Sequence, residues 1–402
     1  MARYDVAVIG AGIVGLATAM SLLEQERHID VVVLDKEPSA GQHQTGHNSG
    51  VIHTGIYYDP TSLKARLCRE GCEATKYFCR QELIRYDTCG KLIVATDADE
   101  VAKLGNLYER ARANGVAVDR LDAAALTALE PNVTGIAALL VRDAGIVDYR
   151  QVCEAMVGRI RAAGGEVRFS APVTVIEQTD DSVAIKAGGE TLSATRVVAC
   201  AGLHSDRLAA AAGVASDYRI LPFRGEYFVL PDERSNIVRH LIYPVPDPKL
   251  PFLGIHLTRT IDGRTTVGPN AVLGFAREAY RKSAFSLADT FGMMIFPGSW
   301  RLLARQWRAA VSEYRNSLFR SVYLAACQKY CPSLRIEDLT PWPAGVRAQA
   351  VSRQGVMLHD FAFAGTERML HVLNAPSPAA TSAIPIGRMI AARLLGHEEQ
   401  LG

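Results

Sequence analysis

The first thirty-five residues show a regular succession of apolar runs and small-residue turns. Apolar runs at residues 4–9 and 29–34 predict two buried strands, and a run at 16–23 has the composition of a helix. A glycine-rich turn at 10–15 separates the first strand from the helix, and the second strand ends at Asp35. This order predicts a strand-turn-helix-strand unit at the start of the chain.

The three glycines of this turn have the spacing of a dinucleotide-binding loop. Gly10 permits the tight turn, Gly12 admits a pyrophosphate against bare backbone, and Gly15 lets the helix pack closely on the strand. The helix N-terminus would then hold the anion. Asp35, twenty residues after Gly15, would accept hydrogen bonds from a ribose. An ordinary tight turn and a solvated strand end are the alternatives, and FAD and NAD fit the unit equally well.

Composition sets limits on size and partners. The chain has 402 residues, 49% of them hydrophobic, so it can bury a large core, and two lobes suit that length better than one. Its 44 Lys and Arg residues almost balance its 42 Asp and Glu residues. A nucleic-acid-binding protein would show a strong basic excess or stripe, so we expect no nucleic-acid partner.

Other sequence features bear on location and metals. A strand that begins at residue 4 leaves no room for a signal or transit peptide, and no apolar run approaches the ~20 residues of a membrane-spanning helix. We therefore expect a cytoplasmic protein. The eight cysteines are scattered, and the pairs Cys68/Cys72 and Cys327/Cys331 have helical spacing without a second ligand pair nearby. We expect reduced thiols and no metal site.

Two later segments favour a flavin over a nicotinamide. Residues 195–206 predict a strand, a small-residue turn at Ala201 and Gly202, and a helix. Residues 371–395 repeat that order around a loop rich in Pro, Ser and Ala. A simple nicotinamide dehydrogenase would complete its cofactor site within the first half of the chain, so these later segments favour FAD.

These segments resemble those of the D-amino-acid-oxidase-like superfamily of FAD-dependent oxidoreductases. In that superfamily the segment with Ala201 and Gly202 packs beside the FAD pyrophosphate, and the strand at Val173 grips adenine. The loop near the C-terminus presents N–H groups to the isoalloxazine, where a helix N-terminus stabilises reduced flavin. The resemblance implies further FAD contacts from Lys36, Thr45, Asn48, Ser49, Ser377, Pro378, Ala379, Ala380 and Thr381.

The block at residues 43–58, HQTGHNSGVIHTGIYY, resembles the L-2-hydroxyglutarate dehydrogenases and oxidases within this superfamily. Other segments extend the likeness over nearly the whole chain, namely 223–228, 240–246, 252–259, 267–271, 341–349 and 375–386. The resemblance implies FAD-dependent oxidation of L-2-hydroxyglutarate, a small dicarboxylate 2-hydroxy acid, to 2-oxoglutarate, with electrons passed to a quinone or to oxygen. Noncovalent FAD is favoured, although His43 lies where some flavoproteins attach the cofactor.

Oxidation of a 2-hydroxy acid requires a base for the hydroxyl proton and cations for the carboxylates. His53 is the first candidate base because the family block lies beside the flavin, and His256 is the second. Arg347, in a Gly-x-Arg segment similar to that of amino-acid-oxidising relatives, can grip a carboxylate with its planar fork, and a surface ion pair is its alternative role. The candidates for the second carboxylate are Tyr57, Lys64, Arg224, His256 and Arg259.

Strand alternation adds one more candidate. In the segment 223–228 it would place Arg224 and Glu226 on one face and Tyr227 on the other. Tyr227 is therefore a further candidate for substrate contact, whereas Arg224 and Glu226 have the alternative of pairing with each other.

We predict an α/β protein, α+β overall, with a Rossmann-like FAD-binding domain and a second, mixed-sheet substrate domain. The FAD-binding domain would be discontinuous and comprise residues 1–75, 145–215 and 340–402. The substrate domain would comprise 76–144 and 216–339, with a helical insertion at about 276–330.

The helical insertion has an amphipathic pattern. Arg301, Arg305, Arg308 and Arg315 recur at helical spacing, and apolar residues that include Trp307 fall on another face. Such a helix suits an anionic lipid surface, and peripheral binding to the cytoplasmic face of the inner membrane would bring the protein to a quinone. A helix packed on its own protein, with solvated arginines, is the simpler alternative.

Two other functions are compatible with the same residues. An amine or amino-acid oxidase on this fold would use Arg347 equally well. A catalytically silent flavin-binding protein would also retain the glycine turn.

Overall fold

The computed structural model describes residues 2–247 and 254–397, so the first two positions of the segment 252–259 and the end of the segment 340–402 lie outside it. The strands are β1 (Ala2–Ile9), β2 (Val31–Leu34), β3 (Val51–Ile52), β4 (Tyr86–Asp87), β5 (Lys91–Ala95), β6 (Val118–Asp122), β7 (Ala137–Val141), β8 (Gly145–Val147), β9 (Glu166–Arg168), β10 (Val173–Gln178), β11 (Val183–Ala187), β12 (Glu190–Ala199), β13 (Tyr218–Val229), β14 (Leu241–Pro244), β15 (His256–Arg259), β16 (Thr265–Gly268), β17 (Val272–Leu273), β18 (Thr340–Ser352), β19 (Ala362–Gly365) and β20 (Met369–Asn374). The helices are α1 (Ile13–Gln25), α2 (Leu63–Gln81), α3 (Ala98–Ala113), α4 (Ala123–Leu129), α5 (Tyr149–Ala162), α6 (Ser205–Ala211), α7 (Leu287–Met294), α8 (Pro297–Leu318), α9 (Arg320–Gln328) and α10 (Ala383–Leu395).

The first sheet is built on the N-terminal unit. Its parallel strands lie in the order β20, β12, β1, β2 and β9, and β10 and β11 extend it in antiparallel fashion from the first half of β12. All four residues of β2 are buried, as is typical of a parallel strand covered on both faces. Helix α1 crosses from β1 to β2 and packs against α5 and α10. This arrangement is the predicted Rossmann-like unit.

The second sheet is mixed, as predicted. Its strands follow the order β17, β13, β16, β15, β14, β5, β7 and β6, and β14 and β5 form its parallel pair. A small sheet of β3, β8 and β4 carries the start of the 51–58 segment. The predicted fold class, a Rossmann-like unit with a second mixed sheet, is confirmed.

One predicted segment boundary differs from the strand pairing. We assigned residues 340–402 to the FAD-binding domain, but β18 forms a long antiparallel ladder with β13 from Tyr218 to Val229 and so belongs to the second sheet. The pairing joins strands more than a hundred residues apart in the chain, which apolar periodicity does not reveal.

Helices α7, α8 and α9 fall inside the predicted helical insertion. The apolar face of α8 is largely exposed, with Trp300 and Trp307 each 55% exposed. Arg301 and Arg305 instead donate to the carbonyl groups of Arg353 and Gly355. The helix therefore presents much of its apolar face outward, and its four arginines stay exposed although two of them also reach protein carbonyl groups.

Two expectations about the chain concern thiols and membrane spans. All eight cysteines are free thiols. Within residues 2–247 and 254–397, none of the helices combines the length and apolar character needed to pass through a bilayer.

Candidate active site

A cavity of about 750 Å³ lies where the two large sheets meet. Its wall includes the β1–α1 turn, the turn after β12, strands β13, β15 and β18, and the loop between β20 and α10. Asp35 is the only acidic residue among the described residues that line it, whereas the lining cations are Lys36, Lys64, Arg207 and Arg347. The cavity is therefore suited to anions.

The β1–α1 turn forms one end of this cavity. Gly10 has φ +108°, and a Cβ there would lie 2.5 Å from the Cys200 carbonyl oxygen. A Cβ on Gly15 would lie 1.9 Å from the Gly10 carbonyl oxygen. At Gly12 the nearest atom to an added Cβ is Thr45 Oγ1, at 3.6 Å. Protein packing thus requires Gly10 and Gly15, while Gly12 leaves bare backbone facing open space, as a bound pyrophosphate needs.

Asp35 and Thr45 hold the backbone around this turn. One Asp35 oxygen accepts a hydrogen bond from Ala11 N at 2.5 Å, and the other accepts one from Glu37 N at 2.8 Å. Thr45 Oγ1 accepts from Ile13 N at the start of α1, at 3.1 Å. Asp35 is therefore more than a solvated strand end, and it still borders the cavity.

The loop between β20 and α10 closes the other side of the cavity. Within it, Thr381 Oγ1 accepts from His53 N at 3.1 Å and donates to Val51 O at 3.2 Å. Tyr149 OH lies 3.0 Å from the same hydroxyl, and Thr75 Oγ1 donates to the Thr381 carbonyl. The Thr381 hydroxyl therefore fixes the loop to the strand that leads to His53.

The residues predicted to bind the cofactor border this one cavity, except for Gly15, which packs against Gly10. Those at its wall are Gly10, Gly12, Asp35, Lys36, Thr45, Asn48, Ser49, Val173, Ala201, Gly202, Ser377, Pro378, Ala379, Ala380 and Thr381. Bare backbone at a helix N-terminus, an acid at the end of β2 and a long cavity fit a dinucleotide such as FAD. The individual contacts stay predictions.

Both candidate bases line the same cavity. The His256 ring stacks on Tyr243 at 4.0 Å, and its Nδ1 lies 3.1 Å from the Gly254 carbonyl oxygen. Because that carbonyl can only accept, Nδ1 carries the proton of the neutral ring and Nε2 is the available acceptor. Burial lowers the pKa of His256 to about 4.

His53 is held by its backbone. Its N–H donates to Thr381 Oγ1, its carbonyl accepts from Cys68 Sγ, and its ring makes no hydrogen bond to the described residues. Burial, followed by the positive charge of Lys91, holds the pKa of His53 well below its usual range. Both histidines are therefore neutral at pH 7 and able to accept a proton.

Cations and phenols stand beside these histidines. Arg347, from β18, and Tyr227, from β13, line the cavity. Lys64, near the start of α2, places its Nζ 4.3 Å from the centre of the Tyr58 ring, and burial together with Arg347 lowers the pKa of Lys64 to about 8. Tyr57 also lines the cavity. The structure thus gathers His53, His256, Arg347, Lys64, Tyr57 and Tyr227 at one place.

Two predicted substrate residues do not reach the cavity. Arg224 is 7% exposed, and its Nη2 lies 2.8 Å from Glu226 Oε1. Arg259 donates to the Arg239 carbonyl at 3.0 Å and faces Asp87. Both assignments are corrected. Arg224 lies on the face of β13 opposite to Phe223 and Gly225, which line the cavity, and Arg259 lies on the face of β15 opposite to His256.

Sequence reasoning missed Lys91 and Tyr243. Tyr243 lines the cavity beneath His256, and Lys91 lies directly behind Tyr57 and Tyr243. One sequence signal was available: Lys91 is in phase with the buried Ile93 and Ala95 on β5. A charged residue on a buried face is the feature that marks such a position.

One cluster of two carboxylates and a histidine adjoins the cavity wall, of which its member His43 is a part. Glu37, His43 and Glu278 approach closely enough to offer ligands to a metal ion. Lys36 Nζ already contacts this group, with Glu278 at 2.8 Å and His43 Nε2 at 2.9 Å. The ammonium therefore takes the place that a cation would need, and the cluster supports no metal site.

Comparison with known proteins agrees with this geometry. The family model described as FAD dependent oxidoreductase matches residues 5–393. The chain is 50% identical to L-2-hydroxyglutarate dehydrogenase of Escherichia coli strain K12, covering 97% of this chain and 93% of that protein. It is 43% identical to the mitochondrial L-2-hydroxyglutarate dehydrogenase of Homo sapiens, over 96% of this chain and 88% of that protein.

Solved structures agree in fold. The L-alpha-glycerophosphate oxidase of Mycoplasma pneumoniae, solved with FAD bound, matches with a TM-score of 0.79 at 24% identity, covering 98% of this chain and 95% of that one. Glycine oxidase of Geobacillus kaustophilus matches with a TM-score of 0.75 at 17% identity, over 98% and 95% of the two chains. At these identities the likeness concerns the fold alone.

Gly12 allows cofactor binding and folding to be tested separately. We expect Gly12→Val to fold but to retain at least about tenfold less flavin, because its side chain enters the space left for the pyrophosphate. Gly15→Ala should lose both flavin and stability, since its Cβ would overlap the Gly10 carbonyl. The measurements are the flavin-to-protein absorbance ratio and thermal unfolding of the apoproteins. Wild-type flavin content in Gly12→Val would contradict this assignment.

Proposed function

Because this chain belongs to the FAD-dependent oxidoreductase family and, within it, to the L-2-hydroxyglutarate dehydrogenases, we propose that it oxidises L-2-hydroxyglutarate to 2-oxoglutarate. The observation that carries the proposal is the composition of the cavity wall. Cations and neutral histidines stand at the reaction end, and Asp35, the one acid among the described residues of the wall, belongs to the turn that would bind the cofactor. This arrangement suits a dianion whose hydroxyl must lose a proton.

Each group has a separate task in this proposal. The planar guanidinium of Arg347 binds one carboxylate through two parallel hydrogen bonds, and Lys64 with Tyr57 or Tyr227 serves the second. His53 or His256 accepts the hydroxyl proton, since both rings are held neutral. Bound FAD supplies the acceptor for the hydride from the substrate carbon. The chain's own residues therefore orient the substrate and move its proton.

We further propose that the exposed apolar side of the helical segment binds an anionic lipid surface and brings the enzyme to a quinone acceptor. Eleven large apolar side chains there each have more than a third of their surface exposed, namely Phe285, Leu287, Phe291, Met294, Ile295, Trp300, Leu303, Trp307, Val311, Leu318 and Phe319. Exposed arginines at 301, 305, 308 and 315 interleave with them. Apolar insertion with basic residues around it is the pattern of a peripheral membrane surface.

The substrate is tested by anaerobic flavin reduction. L-2-hydroxyglutarate should bleach the flavin, the D enantiomer should not, and shorter monocarboxylic hydroxy acids should react poorly. A shorter acid leaves the second carboxylate donor unpaired, at a cost of roughly 1–3 kcal/mol when such a group is buried. Equal reduction by both enantiomers, or faster reduction by glycine or another amino acid, would reject the assignment in favour of an amine or amino-acid oxidase. The catalytically silent alternative predicts that none of these compounds bleaches the flavin.

The base is tested by replacing each histidine. His53→Asn should keep FAD and lower the rate of flavin reduction by about 10²–10⁴-fold, the usual contribution of a positioned base. Wild-type reduction should change little between pH 6.5 and pH 7 and should fall at lower pH, because burial and nearby positive charge hold the pKa of His53 below 6.5. The measured range stops at pH 7 because the pKa of Lys64, which would bind the substrate, is lowered to about 8. That acid limb should vanish in the variant.

His256→Asn is measured in parallel, and His397→Asn, outside the cavity, is the control. If His53→Asn keeps the normal rate of flavin reduction and the acid limb, and His256→Asn loses both, His256 is the base.

Lipid binding is tested by co-sedimentation with anionic phosphatidylglycerol vesicles. Trp300→Ser combined with Trp307→Ser should weaken binding by at least about tenfold, because two large apolar side chains no longer insert. Leu83→Ser is the matched control, since Leu83 is 94% exposed but lies outside the helical segment. Equal binding by the double variant and the wild type, or binding only to neutral vesicles, would contradict the proposed surface.

A further inference from the structure

Lys91 is a charged residue at a buried position where its charge does not stabilise the fold. It is the first residue of β5 and is 0% exposed. Its Nζ lies 4.6 Å from the centre of the Tyr57 ring and 5.2 Å from that of Tyr243. It has no hydrogen-bond partner, and it forms no ion pair with the residues that the structure describes. A buried ammonium without a counter-ion is costly, and contacts with aromatic rings compensate only part of that cost.

The two rings against Lys91 form part of the cavity wall. Tyr57 lies four residues after His53, and Tyr243 stacks on His256 with 4.0 Å between ring centres. The described lining of the cavity does not include Lys91 itself. The ammonium therefore lies one layer of side chains behind the cavity, close to both candidate bases.

No carboxylate among the described residues pairs with Lys91, and burial lowers the pKa of Lys91 to about 8, so the side chain is mainly an ammonium at pH 7. The titratable groups that face it are Cys68 and Cys72 from α2, His53 and Tyr57 from the segment after β3, Tyr243 from β14, and His256 from β15. No carboxylate is among them. Burial raises the pKa of Cys68 to about 12 and that of Cys72 to about 11, so both thiols stay neutral.

We propose that Lys91 is a positioning residue of the reaction: its buried ammonium attracts the dianionic substrate through the Tyr57 and Tyr243 layer and keeps both histidines free to accept a proton. This inference rests on the proposed function. It explains why a lysine occupies the position, because the substrate supplies the negative charge that the protein withholds. Electrostatic attraction acts over this distance because the intervening side chains exclude water.

The central experiment compares wild type with Lys91→Met, in which an apolar side chain of similar length replaces the ammonium. Glutarate, a dicarboxylate without the reacting hydroxyl, is titrated into the FAD-loaded protein and its binding is read from the flavin spectrum. We expect the dissociation constant to rise by about tenfold or more. The acid limb of flavin reduction should move to higher pH by about 0.5 to 1, because removal of a nearby positive charge raises a histidine pKa. Thermal stability should stay equal or rise.

Lys76→Met is the matched control. Lys76 is 6% exposed on α2, but Glu73 lies 3.3 Å from its Nζ and it is not among the residues that line the cavity. Its loss should leave glutarate binding and the acid limb unchanged and should lower stability slightly, since it breaks an ion pair. The two lysine variants thus have opposite expected signatures, which a merely structural role for Lys91 would not produce.

Other outcomes distinguish this inference from the proposed function. If Lys91→Met binds glutarate like wild type and its acid limb does not move, the inference on Lys91 is overturned. Wild-type protein that binds glutarate but is not reduced by L-2-hydroxyglutarate would overturn the proposed function alone. Absence of glutarate binding in wild type would overturn the inference on Lys91 alone, because reduction by L-2-hydroxyglutarate is the separate test of the proposed function. Lys91→Gln is a second variant, and loss of FAD from both Lys91 variants would identify the ammonium as structural and reject the inference.

Discussion

The cofactor end of the molecule depends on close backbone contact between two turns. Gly10 N donates to Leu34 O, and Cys200 N donates to Ile9 O, each at 2.8 Å. These bonds hold the carboxyl ends of β1, β2 and β12 side by side, which is the edge where parallel sheets bind ligands. Packing is so close that a methyl group at Gly10 or Gly15 would overlap a carbonyl group. The tight contact leaves the bare backbone at Gly12 as the part of the turn that faces the cavity.

The reaction end depends on charge rather than on shape. Proteins usually pair buried cations with acids. Here Lys64 and Lys91 form no ion pair with described residues. Asp35 also lines the cavity, but its carboxylate is bonded to the backbone of the glycine turn. A cationic wall raises the free energy of the empty site and lowers that of the site holding a dianion. It also disfavours protonation of His53 and His256, so one arrangement would serve both tasks of the proposed mechanism, binding and proton removal.

The parts that sequence predicted are those set by local rules. The glycine turn, its helix and Asp35 follow from spacing within one short segment, and the family block places His53. Arg224 and Arg259 were misassigned because the direction of a strand side chain depends on the register between distant strands. The β18 boundary failed for the same reason. Lys91 was missed because only packing shows that an ammonium at the start of a strand lies behind two tyrosines.

The corrected position of Arg224 explains how the helical segment is held. Arg224 binds Glu226 and the Lys282 carbonyl, and Ser317 Oγ near the end of α8 donates to the same Glu226 oxygen at 2.9 Å. Glu226 immediately precedes Tyr227, which lines the cavity. The polar face of β13 therefore anchors α8 while the opposite face lines the cavity. A helix fixed in this way by buried polar bonds at one end can leave its apolar side chains exposed, because its position does not depend on burying them.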